Sequence, residues 1–265
     1  MSFSLTLTIS DLTGIKNSFI LKNPTSVSRP IKLTKTVETS HAFYLPKISI
    51  ETFRHDSGFI GNIEEGGSCN VNILKFSPHS LTHIETSSHI TNDNNKKKSI
   101  SDLFINEKMG LVYLIDCTKS EAIIHNQISD SYLKDQLEKI DLPITALAIK
   151  TKSSELPFNY DFSGENFLFF GQKAAKVVKK IQPKLNLLIL DLPSIDSEND
   201  RNLLGHKTFL INKDHDKNKI HGSAIIELAF FPHLTQGYYF CVLTPPKIDS
   251  DAIITDIIFW NLEKS

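Results

Sequence analysis

Apolar positions along this chain fall mostly into short runs, and only two stretches show a helical stripe. Residues 110–117 (Gly-Leu-Val-Tyr-Leu-Ile-Asp-Cys) form a continuous apolar run bounded by polar residues, the pattern of a strand buried on both faces. The stretches 144–149, 167–170, 187–190, 224–228 and 238–243 read the same way, and 253–260 closes the series. Earlier, 42–50 carries Phe43, Tyr44, Leu45, Ile48 and Ile50, and 69–76 alternates through Val71 and Ile73; both predict strands. Helical spacing occurs at 130–140, where Tyr132, Leu133, Leu137 and Ile140 share a face. It recurs at 172–181, where Ala174, Ala175, Val177, Val178 and Ile181 lie opposite Lys173, Lys176, Lys179 and Lys180, a solvated basic face. That helix runs through Pro183 into the 187–190 strand.

Two stretches read as loops. The glycine-rich 58–67 precedes no helix, which argues against a phosphate loop. Residues 212–222 look like a solvated insertion. No internal repeat or linker divides the chain. The expectation is one α/β domain, rich in strands, over 1–265, with its core at about 40–262 and a peripheral 1–39.

Composition narrows the classes. Lys and Arg number 29 against 30 Asp and Glu, so no basic face calls for nucleic acid. Lys96, Lys97 and Lys98 follow Asn92-Asp93-Asn94-Asn95 and read as a solvated loop tip. Three widely spaced cysteines, Cys69, Cys117 and Cys241, without a CxxC, fit a reducing cytoplasm rather than a disulfide framework. The first ten residues lack a basic segment and a continuous apolar core, so a signal peptide is not expected. No apolar run approaches the ~20 residues of a membrane helix. No Gly-x-Ser-x-Gly elbow is present, which disfavours a serine hydrolase.

The chemistry concentrates in 79–89, His-Ser-Leu-Thr-His-Ile-Glu-Thr-Ser-Ser-His. Pro78, Thr82, Ile84 and Thr86 make a poor helix. In an extended strand His79, His83, Glu85 and His89 would all point to one side. Four such groups on one face do not build an apolar core, and burying them unpaired is costly. Imidazoles with a carboxylate, and no thiolate, suit zinc, manganese or iron with an open coordination position.

This motif resembles the signature of the cyclase family that includes metal-dependent kynurenine formamidases and isatin hydrolase, His-x-Gly-Thr-His-x-Asp-x-Pro-x-His. His79, Thr82, His83 and His89 match in register, while Glu85 stands for Asp, Leu81 for Gly and Ser87 for Pro. Asp191-Leu-Pro-Ser-Ile-Asp196 followed by His206 is similar to the family's Asp-x-Pro-Ser-Ile-Asp and later His. Ile225-Ile226-Glu227-Leu228 is similar to its Ile-x-Glu-Asn-Leu, and 237–248 resembles its closing strand. The landmarks keep family order across roughly residues 40–255.

The resemblance implies a swivelling β/β/α fold holding one or two divalent ions, zinc or manganese. His79, His83 and Glu85 would be ligands, with Glu85 in the place of a carboxylate that can bridge two ions. His206 and Glu227 would complete a second site, with His215 and His221 as alternatives to His206. His89 would be the proton-transfer group. Asp191 and Asp196 could orient histidines or cap the following turn and helix. The implied activity is a cytoplasmic metal-dependent hydrolase acting on a small amide, formamide or cyclic amide, arylformamidase-like, through a metal-activated water. The implied assembly is a homodimer or larger homo-oligomer, with no nucleic-acid or membrane partner. The three motif departures keep a second reading open: a cyclase-fold protein that binds a metal or small molecule and has lost efficient catalysis.

Overall fold

The long apolar runs become the middle of one mixed sheet in the computed structural model, which describes residues 5–30, 32–33, 37–38, 40–103, 108–164, 167–211 and 223–265. The strands of the sheet are β1 (Thr6–Ser10), β2 (Lys16–Ser26), β3 (His83–Glu85), β4 (Met109–Asp116), β5 (Ala146–Lys150), β6 (Leu187–Leu190), β7 (Ala224–Glu227), β8 (Gly237–Leu243), β9 (Ala252–Ile254) and β10 (Ile257–Lys264). Their order across the sheet is β1-β2-β10-β8-β4-β5-β6-β7-β3-β9. Only β4 to β7 run parallel to one another; all other neighbours are antiparallel. Parallel strands are covered on both faces, which is why these four read as unbroken apolar runs.

Alternation along them sorts two cores. Leu111, Ile115, Leu147, Ile149, Leu188, Leu190 and Ile225 face one side, against the helices α1 (Asp130–Leu137), α2 (Gly171–Ile181) and α3 (Leu204–Leu210). Val112, Leu114, Ala146, Ala148, Leu187, Ile189, Ala224 and Ile226 face the other, against Val27, Phe231, Tyr239 and Phe259. The strand-rich α/β expectation is met.

Several expected boundaries move. The run 42–50 is a turn until Ser49–Thr52, because Phe43 and Tyr44 take φ of +56° and +53°, outside the strand region. The apolar 167–170 is no strand: it leads into α2, and Phe167 packs against Phe43 at 5.8 Å between ring centroids. The stretch 253–260 divides into β9 and β10. Lys98 is buried at the foot of the loop whose tip is 93–97, not solvated. Lys179 leaves the basic face of α2: its Nζ donates to Ser223 Oγ at 2.6 Å and lies 4.2 Å from the centre of the Phe209 ring. The expected loop at 212–222, with His215 and His221, lies outside the described residues. All three cysteines are free. Among the described residues, no helix is long and apolar enough to cross a membrane.

Asp191 ends β6 and shows what a buried carboxylate does here. Thr151 and Ser154 each donate a backbone N–H and a hydroxyl to it, at 2.7–3.2 Å. Burial nevertheless pushes its carboxyl up from 3.8 to about 6. The folded state therefore holds this proton more tightly than the unfolded state, so stability falls as pH rises from 3.8 through about 6. The span corresponds to about 3 kcal/mol. Denaturant melts at pH 4 to 7 should show this decline, and Asp191→Asn should flatten it; an unchanged slope in the variant would assign the decline to other groups.

Candidate metal centre

β3 is three residues long, and its neighbours set what those residues face. Ile84 enters the second core, so His83 and Glu85 point to the helical face of the sheet. On β7, Ile226 likewise sends Glu227 to that face. The register then matters: Glu227 pairs with His83 and Ile225 with Glu85. Cross-strand neighbours lie close enough to interact, and His83 Nε2 is 3.6 Å from Glu227 Oε2.

The expectation of one long strand carrying all four motif side chains is corrected. Pro78–Ser80 and Ser87–His89 are 3-10 turns: Pro78 lacks the N–H a strand partner needs, and Ser87 Oγ is bonded to Lys96 O and Lys98 N–H of the following loop. The turns fold His79 and His89 back over Glu85. His79 Nδ1 lies 3.0 Å from His83 Nε2 and 4.0 Å from Glu85 Oε2; His89 Nε2 lies 3.7 Å from Glu85 Oε2.

His206 arrives on α3, a helix the hydrophobic pattern did not predict. The buried carboxylate of Asp196 builds it from a distance. Asp196 accepts the backbone N–H groups of Gly205 at 2.7 Å and His206 at 3.0 Å, two of the donors that a helix start leaves unpaired. The same oxygen that takes His206 N–H also takes His206 Nδ1–H, at 2.8 Å. Gly205 is required there, since a Cβ would stand 2.4 Å from Asp196 Oδ1. His206 Nε2 then sits 2.9 Å from Glu85 Oε1 and 3.7 Å from Glu227 Oε1. Ile195, next to Asp196, donates its N–H to Glu227 Oε1 at 2.7 Å. One loop thus fixes both the imidazole and the second carboxylate.

All six residues singled out in the sequence, His79, His83, Glu85, His89, His206 and Glu227, therefore meet in one place. Asp196 both caps α3 and orients His206, whereas Asp191 anchors the turn at Lys152–Glu155 and stays out of the cluster. Asp251 was missed. Its Oδ2 is 3.1 Å from His79 Nε2 and 3.7 Å from His89 Nδ1. It lies 172 residues beyond His79, and no local pattern marks it.

The hydrogen bonds around the rim show which ring nitrogens face inward, where each can offer a lone pair to an ion once it carries no proton. A carbonyl or carboxylate oxygen can only accept, so His83 Nδ1–H points at Leu81 O (2.7 Å), His206 Nδ1–H at Asp196 and His79 Nε2–H at Asp251. The opposite nitrogens of these three rings face one another and Glu85. Two imidazole lone pairs 3.0 Å apart, as in His79 and His83, repel unless a cation, a proton or a metal ion, lies between them. Nitrogens sharing one tetrahedral zinc stand roughly 3.3 Å apart. Among the described residues both oxygens of Glu85 are buried without a hydrogen bond, and the groups nearest to them are the ring nitrogens of His206 at 2.9 Å, His89 at 3.7 Å and His79 at 4.0 Å. A buried carboxylate without a hydrogen bond is costly. The donor set fits a divalent ion.

The electrostatics agree. Burial, with His79 beside it, pushes the His83 imidazole down to about 3. Burial also lowers His89. Glu85 is held down to about 2: burial opposes this, and His206 followed by His89 outweighs it. His206 lies well above its ordinary value, its burial overcome by Glu85, Asp196 and Glu227. Glu227 is raised well above the carboxylate range by burial and by Glu85. The metal-free cluster thus buries one carboxylate, Glu85, one imidazolium, His206, and the protonated carboxyl of Glu227, and one or two divalent ions would take the place of the protons on His206 and Glu227.

The motif departures find local explanations. Leu81 is extended at φ −131° and buried, so this backbone needs no glycine. Ser87 Oγ donates to Lys96 O at 2.7 Å and accepts Lys98 N–H at 2.8 Å, tying the turn that proline would stiffen. Thr82 Oγ1 donates to Leu228 O and accepts Arg29 N–H. Leu228 itself has φ +55°, a conformation that asparagine, present here in the resembled pattern, adopts more readily.

The Cyclase family model, described as "Putative cyclase", matches residues 5–197. Among curated proteins, a kynurenine formamidase of Bacillus thuringiensis subsp. konkukian (strain 97-27) is 29% identical over 190 residues, 71% of this chain and 78% of its own length. A potential metal-dependent hydrolase with cyclase activity superposes with a TM-score of 0.60 at 20% identity, over 90% of this chain and 97% of that one. Isatin hydrolase A from Labrenzia aggregata gives a TM-score of 0.59 at 12% identity, over 89% and 93%.

Proposed function

The chain belongs to the Cyclase family, and from that premise we propose that it is a metal-dependent hydrolase cleaving a small amide, formamide or cyclic amide. The observation that carries this reading is Glu85: a buried carboxylate with no hydrogen bond among the described residues, ringed by the nitrogens of His79, His89 and His206. His79, His83 and Glu85 would hold one ion; Glu85, His206 and Glu227 would hold a second. A divalent ion bound there supplies Lewis acidity toward the scissile carbonyl and makes water a stronger nucleophile near neutral pH.

The protein's own groups do the remaining work. His89 is the imidazole most open to solvent after the ligands are assigned, with a side chain 24% exposed. Its lowered pKa keeps it neutral near pH 7, able to accept the proton of the attacking water. From Nε2, beside Glu85, it then gives that proton to the departing nitrogen. Asp196 and Leu81 O hold the rings of His206 and His83 so that no reorientation is needed as charge develops. The relative's name, kynurenine formamidase, supports an aryl formamide as the first substrate to try.

The test is elemental analysis of protein purified without chelator, alongside His83→Ala, followed by a screen of N-formyl arylamines, lactams and cyclic imides. The expected result is zinc or manganese at about one or two equivalents, lost in the variant, with hydrolysis that EDTA stops and added metal restores. Failure of the parent protein to take up either metal when supplied in excess would overturn the reading.

A further inference from the structure

Asp251 lies outside every motif described above, yet its position is set with care. β9 pairs with β3 so that Ala252 stands opposite Glu85 and Ile254 opposite His83. Asp251 is therefore the residue just before the strand that flanks the metal ligands. Three further contacts hold its segment: Ser88 Oγ donates to Ser250 O, Ser99 Oγ to Asp249, and Ser250 Oγ to Asp251 Oδ1 at 2.9 Å. The other oxygen, Oδ2, is left for His79 Nε2 at 3.1 Å and His89 Nδ1 at 3.7 Å.

We propose that Asp251 is a positioning residue: it keeps the proton of His79 on Nε2, turning the lone pair of Nδ1 toward His83 and Glu85, and it braces the His89 ring from the outside. The inference rests on the metal-centre reading and goes beyond it, because it assigns a role to a side chain the motif does not contain. The other two inward rings have their outer nitrogens fixed by Leu81 O and Asp196. Among the described residues, Asp251 is the one group that His79 Nε2 bonds for this purpose. Without it, the imidazole is free to carry its proton on Nδ1, where it would donate to His83 Nε2 at 3.0 Å and close off both nitrogens. A direct role as ligand to an outer ion is disfavoured by the same geometry, since His79 cannot present lone pairs from both nitrogens while neutral.

The experiment compares the parent with Asp251→Ala, Asp251→Asn and Asp251→Glu. Zinc affinity is read by chelator competition, and the His79 ring protonation by nitrogen-15 NMR of the metal-free protein. The expected result is zinc affinity weakened by about 10–100-fold in the Ala and Asn variants, largely recovered in Glu. With it, the Nε2–H form of His79 gives way to Nδ1–H in Asp251→Ala, while the metal-free melting temperature stays put. Unchanged zinc affinity together with an unchanged His79 tautomer in Asp251→Ala overturns the proposal and leaves the metal centre standing. Absence of zinc uptake by the parent sinks the metal-centre reading instead; the tautomer in the metal-free proteins then decides the role of Asp251 by itself.

Discussion

Glu85→Gln is expected to abolish metal binding and to lower hydrolysis by at least about a thousandfold, the several kcal/mol that a Lewis-acid ion contributes. Glu85 is the side chain that both proposed sites share, with His79, His89 and His206 placed around its carboxylate. Gln has the same length and nearly the same volume, so packing at this fully buried position is kept. What disappears is the charge, and one lone-pair oxygen becomes an NH2 that cannot ligate. The metal-free variant should also unfold more easily than the metal-free parent, by about 3 kcal/mol, because the exchange removes one partner of the buried Glu85–His206 ion pair and leaves the imidazolium behind. The parent should gain stability on adding metal, about 2.7 kcal/mol at a hundredfold excess over its dissociation constant, and the variant none. Calorimetry with and without zinc reads both effects. Retained hydrolysis in Glu85→Gln, or a metal-dependent rise in its melting temperature, would remove Glu85 from the centre.

Asp196→Ala should be the most damaging substitution to stability near the site. Asp196 accepts from Gly205 N–H, His206 N–H and His206 Nδ1–H, all buried. At about 1 kcal/mol or more for each buried donor left alone, the loss is on the order of 3 kcal/mol, with the α3 cap included. Asp196→Asn separates the two roles. Its remaining carbonyl oxygen can still serve the helix start, so stability falls by only about 1 kcal/mol. Its amide can instead donate to His206 Nδ1, which would put the ring proton on Nε2, facing Glu85. Metal affinity should then fall by about 10–100-fold. Denaturant titration set beside chelator competition distinguishes the outcomes; equal stability losses in both variants would make Asp196 a cap and nothing more.

The contrast between what was legible in the sequence and what was not follows from where each interaction partner lies. Leu187–Leu190 and Met109–Asp116 are buried on both faces, so their own composition announces them. Lys16–Ser26 is a long strand that composition conceals. It lies near the sheet edge, exposes Lys16 and the stretch 22–26, and accommodates Asn23 and Pro24 opposite a break in register at Trp260. α3 is seven residues with a glycine second in line, and it forms because a carboxylate eight positions before its first residue satisfies its N–H groups. No periodicity reports that. The residues of the candidate metal centre were legible because chemistry, not packing, constrains them: imidazoles and carboxylates at close spacing are conspicuous against an apolar background. The geometry joining them was not. Treating 79–89 as one strand placed the right side chains together for the wrong reason, since the convergence comes from two 3-10 turns around a three-residue strand.

The position of β3 between β7 and β9 also sets a sequence of events. The histidine motif leaves the ribosome early, but its two flanking strands, with Glu227 and Asp251, come from the last quarter of the chain. His83 and Glu85 therefore wait through the synthesis of some 140 intervening residues before Glu227 pairs with them. Pairings of such long sequence separation are slow to form, because loop closure must precede any reward. During that interval three imidazoles and a carboxylate are exposed to whatever metal the surroundings hold, and a premature ion would tie the motif to the wrong partners. Late insertion of the motif strand between two strands that close around it would make ion capture at the proposed centre one of the last steps of folding rather than its nucleus.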